Sequence, residues 1–393
     1  MATSLPKAVA AVAQLLDEAG IASVVVGRCA WRALGALPGD PGESGGSWVA
    51  DTRLLCAAPP EALRALPGLV PRAGCRSGWL TTGDGPVELV SSSAPDPTAA
   101  LRAAPWTVLA VGVDPSSAEG CDPLGGLADL RARQLRPASE TARLALPSVA
   151  VASARLAAEL GLEANEDART ALKPAVAGLS AIPGPPLRHQ LDALLLAPSP
   201  DRGIALLREA GLEAGLVPGA QPHAAELVAR ATGLVGRWTA WLVGCSAQRI
   251  LARLRTPAER ARAIERRLAL HPADQRIAPR SGAVRKVATR LGSLDAFMEM
   301  LALRRHELDL TQDPSPAARR QLDRLAELAG SLAKGDVALA WSGREVMRAL
   351  GAPPGPAVGR ALAFLQDRVQ EDPEGNHPEQ LRSWLDEWQR AEG

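Results

Sequence analysis

The chain contains no CxxC pair, and its five cysteines (Cys29, Cys56, Cys75, Cys121, Cys245) stand far apart and are odd in number. That spacing argues against a zinc ribbon and a disulfide framework and points to a reducing cytoplasm. The five histidines are as dispersed, so spacing offers neither a metal cage nor a Ser-His-Asp arrangement, and no metal site is expected. No stretch reaches the roughly 18 uninterrupted apolar residues of a membrane span, which predicts a soluble protein without membrane contact. Tyrosine is absent and phenylalanine occurs twice, against nine tryptophans. Trp238 with Trp241 and Trp384 with Trp388 fall at helical spacing, where packing rather than base stacking is the expected use.

Charge is present but unevenly placed. The formal net charge of the 393 residues is +1, yet Ser246 to Arg305 holds fourteen Arg or Lys against five Asp or Glu, a net of +9. A genome rich in G and C would account for abundant arginine but not for its clustering. Arginine forks onto phosphate and stacks on bases better than lysine, so this block is a candidate polyanion-binding region. The plain alternative is a set of solvated helix faces paired with Glu259 and Glu265.

The length allows two to four domains with real cores. The opening SLPKAVAAVAQLLDEAGIASVVVG superficially looks like a signal peptide, but Asp17 and Glu18 interrupt it and no small-residue cleavage site follows. A helix entering a strand is predicted instead. Up to about residue 137, helix-like and strand-like pieces alternate: SVVVG, WVADTRLLC and GWLTTGDGPVELVSS, the last a hairpin turning at Thr82-Gly83-Asp84-Gly85. A loop is predicted over residues 39–47. From about residue 138 helical periodicity dominates, broken at clusters such as IPGPP and APPGP, and an all-α second part is expected. Thr256-Pro257-Ala258-Glu259 predicts an N-cap, a first-turn proline and a capping-box Glu ahead of a helix presenting Arg260, Arg262, Arg266 and Arg267. Asn376-His377-Pro378-Glu379 repeats the device before the last helix. The fold class is α+β.

In WVADTRLLC, Asp51 and Arg53 are two residues apart and project from one strand face. The order of motifs around them resembles the class II tRNA nucleotidyltransferases, the family of CCA-adding enzymes and bacterial poly(A) polymerases, over nearly the whole length. ADTRLLCAAPPEAL matches that family's Asp-x-Asp strand and Pro-Glu turn through Asp51, Leu54, Pro60 and Glu61. VVVGRCAWRALG stands at its diglycine phosphate cradle, with Gly27 kept, and DPLGGLADLRARQLRP keeps Asp122, Pro123, Gly125, Gly126, Asp129 and Leu130. RLAAELGL supplies the neck-helix motif, and WSGREVMRALGAPPGPAVGRALAFLQ supplies the closing one. The resemblance implies a nucleotidyltransferase-type mixed-sheet head over 1–137, then an all-α neck over 138–212, a basic body over 213–305 and a tail over 306–393.

The same resemblance exposes departures. The second Asp of Asp-x-Asp is Arg53. Two carboxylates at that spacing would hold Mg²⁺, whereas a guanidinium repels the cation and prefers Asp51 or phosphate. Glu88 in PVELVSS is a further candidate acid, set against the expectation that a mid-strand Glu is a solvated face. The family's Arg-Arg-Asp-Phe-Thr-x-Asn run becomes RAAPWTVLAVGVD; taken alone WTVLAVGV reads as a strand, while the resemblance implies a helix. The nucleotide-reading positions are Ala145, Leu146 and Val149, and a later Glu-Arg pair is Pro185 and Pro186; none of these side chains reads a Watson-Crick edge.

The reading favoured by this pattern is a tRNA nucleotidyltransferase-like pseudo-enzyme that binds RNA, a tRNA or tRNA-like arm, and needs no cofactor. Asp51 and Glu88 are its vestigial catalytic candidates, and Gly27, Arg28 and Arg53 its nucleotide- or phosphate-binding candidates. Arg249, Arg253, Arg260, Arg262, Arg266, Arg267, Arg285, Lys286 and Arg290 are expected on RNA phosphates. Two alternatives stand: an active nucleotidyltransferase using Asp51, Glu88 and Mg²⁺, and a regulatory subunit that has lost RNA binding.

Overall fold

The computed structural model describes residues 5–36, 52–72, 76–138, 144–313, 315–333 and 338–392. The chain divides into two compact units, Met1–Leu216 and Val217–Gly393.

The first unit opens with α1 (Lys7–Glu18), β1 (Ser23–Val26), α2 (Arg28–Ala33), β2 (Arg53–Cys56), α3 (Pro60–Arg64) and β3 (Leu69–Pro71). The hairpin β4 (Ser77–Thr82) and β5 (Gly85–Ser91) follows, then α4 (Pro97–Arg102), β6 (Gly112–Val113), β7 (Gly120–Cys121) and α5 (Gly126–Ala132). These strands form one mixed sheet in the order β3-β4-β5-β2-β1-β6-β7, in which β2 and β5 are parallel and every other pair is antiparallel. The opening helix forms as predicted because Val9, Val12 and Leu16 recur on one face and bury against the sheet. Alternation along the strands then sorts the two sheet faces. Leu54, Cys56, Val87 and Leu89 join the core under α1, while Val24, Val26 and Leu55 pack on the opposite face with Leu101 of α4. Arg53, Glu88 and Val90 share the parity of that second face.

WTVLAVGV satisfies neither of its two expectations in full. Thr107–Leu109 is one turn of 3-10 helix, and Gly112–Val113 is the short strand β6. The DPLGGLADL motif explains why the chain turns there. Both carboxylate oxygens of Asp122 accept from the Gly126 and Leu127 amides, at 2.7 and 2.9 Å. Gly125 takes φ +74, and a Cβ on Gly126 would overlap the Thr107 carbonyl, so both glycines are required. Asp129 binds the Thr107 hydroxyl at 2.5 Å and Arg136 Nε at 3.0 Å. Asp122 therefore holds the first amides of α5, whose N-cap residue is Gly125, and Asp129 ties Thr107 to Arg136.

The first unit continues through β8 (Gln134–Leu135), α6 (Pro147–Leu160), β9 (Glu163–Ala164), α7 (Glu166–Leu172), α8 (Gly184–Leu196), α9 (Pro200–Glu209) and α10 (Glu213–Leu216). The short strand β9, which pairs in parallel with β8, is an exception to the all-α expectation beyond residue 138.

The second unit is helical: α11 (Ala224–Arg230), α12 (Gly233–Trp241), α13 (Ala247–Arg253), α14 (Ala258–Ala269), α15 (Ala273–Arg276), α16 (Ser281–Leu291), α17 (Leu294–Leu310), α18 (Pro316–Ala333), α19 (Gly343–Leu350), α20 (Pro356–Glu371) and α21 (Pro378–Glu392). The position 305/306, expected as a boundary between body and tail, lies within α17. Tryptophans pack as expected: Trp238 and Trp241 are buried and stacked, ring centres 5.6 Å apart, and Trp384 lies in the core of the last three helices. The device expected at Thr256 differs. Here α14 starts at Ala258 after Pro257 without a side-chain cap, and the Thr256 hydroxyl is buried with no hydrogen-bond partner among the described residues. Asn376 likewise clips the chain at 338–340, bonding the Ala338 carbonyl and the Ala340 amide at 2.8 Å each.

A half-buried polar cluster ties α15 to α17. Glu307 Oε2 lies 3.0 Å from His271 Nε2 and 2.6 Å from an Arg304 nitrogen, and Arg304 Nε donates to Asp274 at 2.8 Å. Burial alone would raise the Glu307 carboxyl, but His271 and Arg304 outweigh it and hold it at about 2 instead of 4.5. A depressed folded-state pKa means stability that is present above the unfolded value and lost as pH falls toward the folded one. Glu307→Gln is therefore expected to lower stability at neutral pH by ~3 kcal/mol. It should also flatten the decline between pH 4.5 and about 2, measured by urea unfolding across pH.

Candidate functional site

The parallel register of β2 and β5 places Arg53 directly beside Glu88. Arg53 donates to Glu88 Oε2 from Nε at 2.7 Å, and a terminal nitrogen lies 2.6 Å from the same oxygen. Arg72, just past β3, reaches Glu88 Oε1 at 3.6 Å. Glu88 is only 3% exposed, although it sits at mid-strand. Burying a carboxylate is costly unless it is paired, and the two guanidiniums supply the pairing. The expectation of a solvated Glu88 is thus corrected. Asp51, the other candidate acid and the expected partner of Arg53, lies outside the described residues.

On the same sheet face lies a cavity of about 450 Å³. Gly27, Arg53, Arg76 and the run Ser91-Ser92-Ser93 give its polar wall; Val26, Leu55, Val90 and Ala100 are among its apolar lining. Ser91 Oγ donates to the Ala58 carbonyl at 2.7 Å. Ser92 Oγ accepts from the Ala94 amide at 3.1 Å, which leaves its O–H to donate. Gly27 takes φ +77, a conformation that favours glycine and turns the chain from β1 into α2. That turn separates Arg28 from the other two phosphate-binding candidates. Arg28 faces Glu159, 3.8 Å away, and borders a different cavity of about 510 Å³ with Arg32, Arg131 and Arg133.

A divalent ion requires convergent anionic oxygens. Among the described residues no group of three or more His, Cys, Asp or Glu is placed to hold a metal, and Glu88 is covered by guanidiniums. The described residues therefore do not fit the Mg²⁺ that the resemblance implies for an active member.

The expected nucleotide-reading positions lie at the start of α6. Leu146 is the N-cap residue and is 53% exposed, and Pro147 occupies the first turn. Pro185 and Pro186 fill the first turn of α8, where missing N–H groups cost nothing. Arg155 is occupied by Glu159 at 3.0 Å and Gln190 at 3.2 Å.

The nine expected RNA-binding cations occupy three helices, with α14 packed against both α13 and α16. Arg249, Arg262, Arg266, Lys286 and Arg290 are exposed; Arg253, Arg260, Arg267 and Arg285 are half-buried. Arg267 lies 3.5 Å from Glu299. Sequence reading did not single out Arg72 or Arg76. They stand at the two ends of the β3–β4 connection, and their approach to the second face follows from strand pairing, which leaves no local pattern.

No known protein-family profile matches the chain. It is 29% identical to the A-adding tRNA nucleotidyltransferase of Deinococcus radiodurans, covering 68% of this chain and 74% of that protein. Its fold is that of the CCA-adding enzymes. The Bacillus stearothermophilus enzyme in complex with CTP superposes with a TM-score of 0.58 at 22% identity, over 98% of this chain and 97% of the other. The Thermotoga maritima enzyme complexed with tRNA superposes with a TM-score of 0.65 at 15% identity, over 97% and 94%. In sequence the chain is thus similar to a tRNA nucleotidyltransferase, and in fold to the CCA-adding enzymes.

Proposed function

We propose that this protein is an RNA-binding member of the family that docks a tRNA or tRNA-like arm and does not itself join nucleotides. The observation that carries the reading is the Arg53–Glu88 ion pair, which sets a fixed positive charge where transfer chemistry calls for a metal-holding carboxylate. Apolar residues at the nucleotide-reading positions of α6 support it independently, since losses of separate catalytic parts compound in the barrier. tRNA as partner is supported by the Deinococcus relative, a tRNA nucleotidyltransferase by name, and by the Thermotoga enzyme, complexed with tRNA. In this reading residues 1–137 are a head and 138–212 a neck, while the basic body and the tail beyond them hold the phosphate backbone by charge and shape. The described cysteines are all free thiols, which supports a cytoplasmic location. No helix among the described residues is long and apolar enough to cross a membrane.

The test pairs two assays on the full chain. With labelled ATP or CTP, Mg²⁺ or Mn²⁺ and a tRNA lacking its 3′ end, extension is expected to stay at background. Labelled extension that Asp51→Ala abolishes would overturn the reading. Filter binding of the same tRNA should fall steeply with salt; a flat response at background level would instead leave a subunit that has lost RNA.

A further inference from the structure

We infer that a cavity among α12, α14 and α17 receives one unstacked guanine of the bound RNA, so that base identity is read there in addition to backbone shape. The inference rests on the RNA binding proposed above and deepens it by naming a base.

The cavity, of about 420 Å³, is built by the second unit alone. Buried Thr239, Met300 and Leu303 line it, together with Met298, which is 38% exposed. Methionine packs adaptably and makes favourable contacts with aromatic rings. Gly236, in the interior of α12, also lines the cavity, and a Cβ there would meet nothing within 4 Å. Glycine weakens a helix interior relative to alanine, and neither a positive φ nor a close neighbour in the fold calls for it here. What it leaves is room for a flat ligand against the α12 backbone.

Charge then selects the ligand. Arg267 lies 3.5 Å from Glu299, Thr232 Oγ1 donates to Glu299 at 2.9 Å, and Arg305 is held by Asp323 at 2.9 Å. Arg230 and Asp295 line the cavity with no hydrogen bond or ion pair among the described residues. One free guanidinium and one free carboxylate are neutral together, which does not favour phosphate. They complement guanine, whose N1–H and N2–H donate side by side to a carboxylate while O6 and N7 accept from an arginine fork. No other standard base offers N–H donors on two neighbouring groups. That the base belongs to RNA follows from α14: its exposed Arg262 and Arg266 are expected on phosphates, and the next residue, Arg267, lines the cavity. A strand held on that helix has the cavity beside it.

Fluorescence anisotropy of the full chain with single-stranded RNA pentamers tests this, alongside filter binding of tRNA. The pentamers are UUGUU, UUAUU and one with inosine, which lacks the 2-amino group, in place of the guanine. UUGUU is expected to bind about tenfold tighter than either of the others, with the same salt slope for all three. Gly236→Leu fills the open room with a good helix former. It should abolish the preference and weaken tRNA binding about tenfold, without lowering the melting temperature or changing the salt slope. Asp295→Asn gives the sharper result: removing a negative charge from a basic region should by itself strengthen RNA binding, so weaker tRNA binding with the preference lost marks a contact to the base. Pentamers bound equally while tRNA still binds, or variants that leave tRNA affinity unchanged or raised, overturn this inference alone. No binding of tRNA or of any pentamer defeats the proposed function with it.

Discussion

Substituting Arg53 by aspartate is expected to raise Mn²⁺ affinity by a hundredfold or more, ~3 kcal/mol, and to make the protein's thermal stability depend on the ion. The strand register is the reason. Residue 53 and Glu88 are neighbours across β2 and β5, so the substitution exchanges a tight ion pair for two adjacent carboxylates. At ~4 Å and an effective dielectric of ~20, each unit of charge is worth ~4 kcal/mol against a neighbour, and the exchange swings the local charge by two units. Without metal, Arg53→Asp leaves Glu88 buried beside a like charge, with Arg72 at 3.6 Å as its remaining cation among the described residues. The variant should therefore melt well below the natural chain in EDTA. Adding Mn²⁺ should restore it by mass action, whereas the melting of the natural chain should not respond. Electron paramagnetic resonance of free Mn²⁺ measures the affinity directly. A variant that neither binds Mn²⁺ nor melts differently with it would show that position 53 does not face an ion site, and would remove the main support for a non-catalytic centre.

Much of the scaffold was legible because its determinants are local. The hairpin is announced by Thr82-Gly83-Asp84-Gly85, and the structure pairs Thr82 with Gly85 across it. The first helix follows from its apolar spacing, and the turn into α5 from Asp122 and two glycines. One local signal was present and passed over: Ser342 and Glu345 form a capping box at the start of α19, three residues apart in the expected pattern. Glu88 shows where local reading stops. Its neighbours Val87 and Leu89 mark a strand, but whether the residue between them meets water or a cation depends on a parallel partner 35 positions earlier and on Arg72 arriving from a third strand. Thr256 failed for a related reason: Pro257 took the N-cap position and the hydroxyl was buried without capping the helix. Arg28 was expected on phosphate within the cradle-like stretch that keeps Gly27, but after the positive φ of that glycine its side chain borders a different cavity.

The basic helices carry the second large effect. Replacing Arg262, Arg266, Lys286 and Arg290 together by alanine is expected to weaken tRNA binding about a hundredfold or more near physiological salt. The slope of log affinity against log salt should shrink by about 3.6 units, near 0.9 for each duplex phosphate that is no longer neutralised. The four side chains are exposed on the neighbouring helices α14 and α16. Their spacing says more than their number. Arg262 with Arg266, Lys286 with Arg290, and Arg249 with Arg253 on α13 are each i, i+4 pairs of like charge. Such a pair costs a helix ~0.2–0.5 kcal/mol, and alanine is the strongest helix former. The fold alone would thus be as stable or more stable without these cations, and the quadruple variant should melt at the natural temperature or above it while losing RNA. A matched change of Lys7 and Arg64, exposed cations of α1 and α3, should move the salt slope by less than about one unit. If instead the quadruple variant binds tRNA as before, the two cation pairs of α14 and α16 are solvated surface and the polyanion site lies elsewhere. A lower melting temperature in that variant would mean that the cations hold the helices together, and that their repetition at one helical turn serves the fold rather than a ligand.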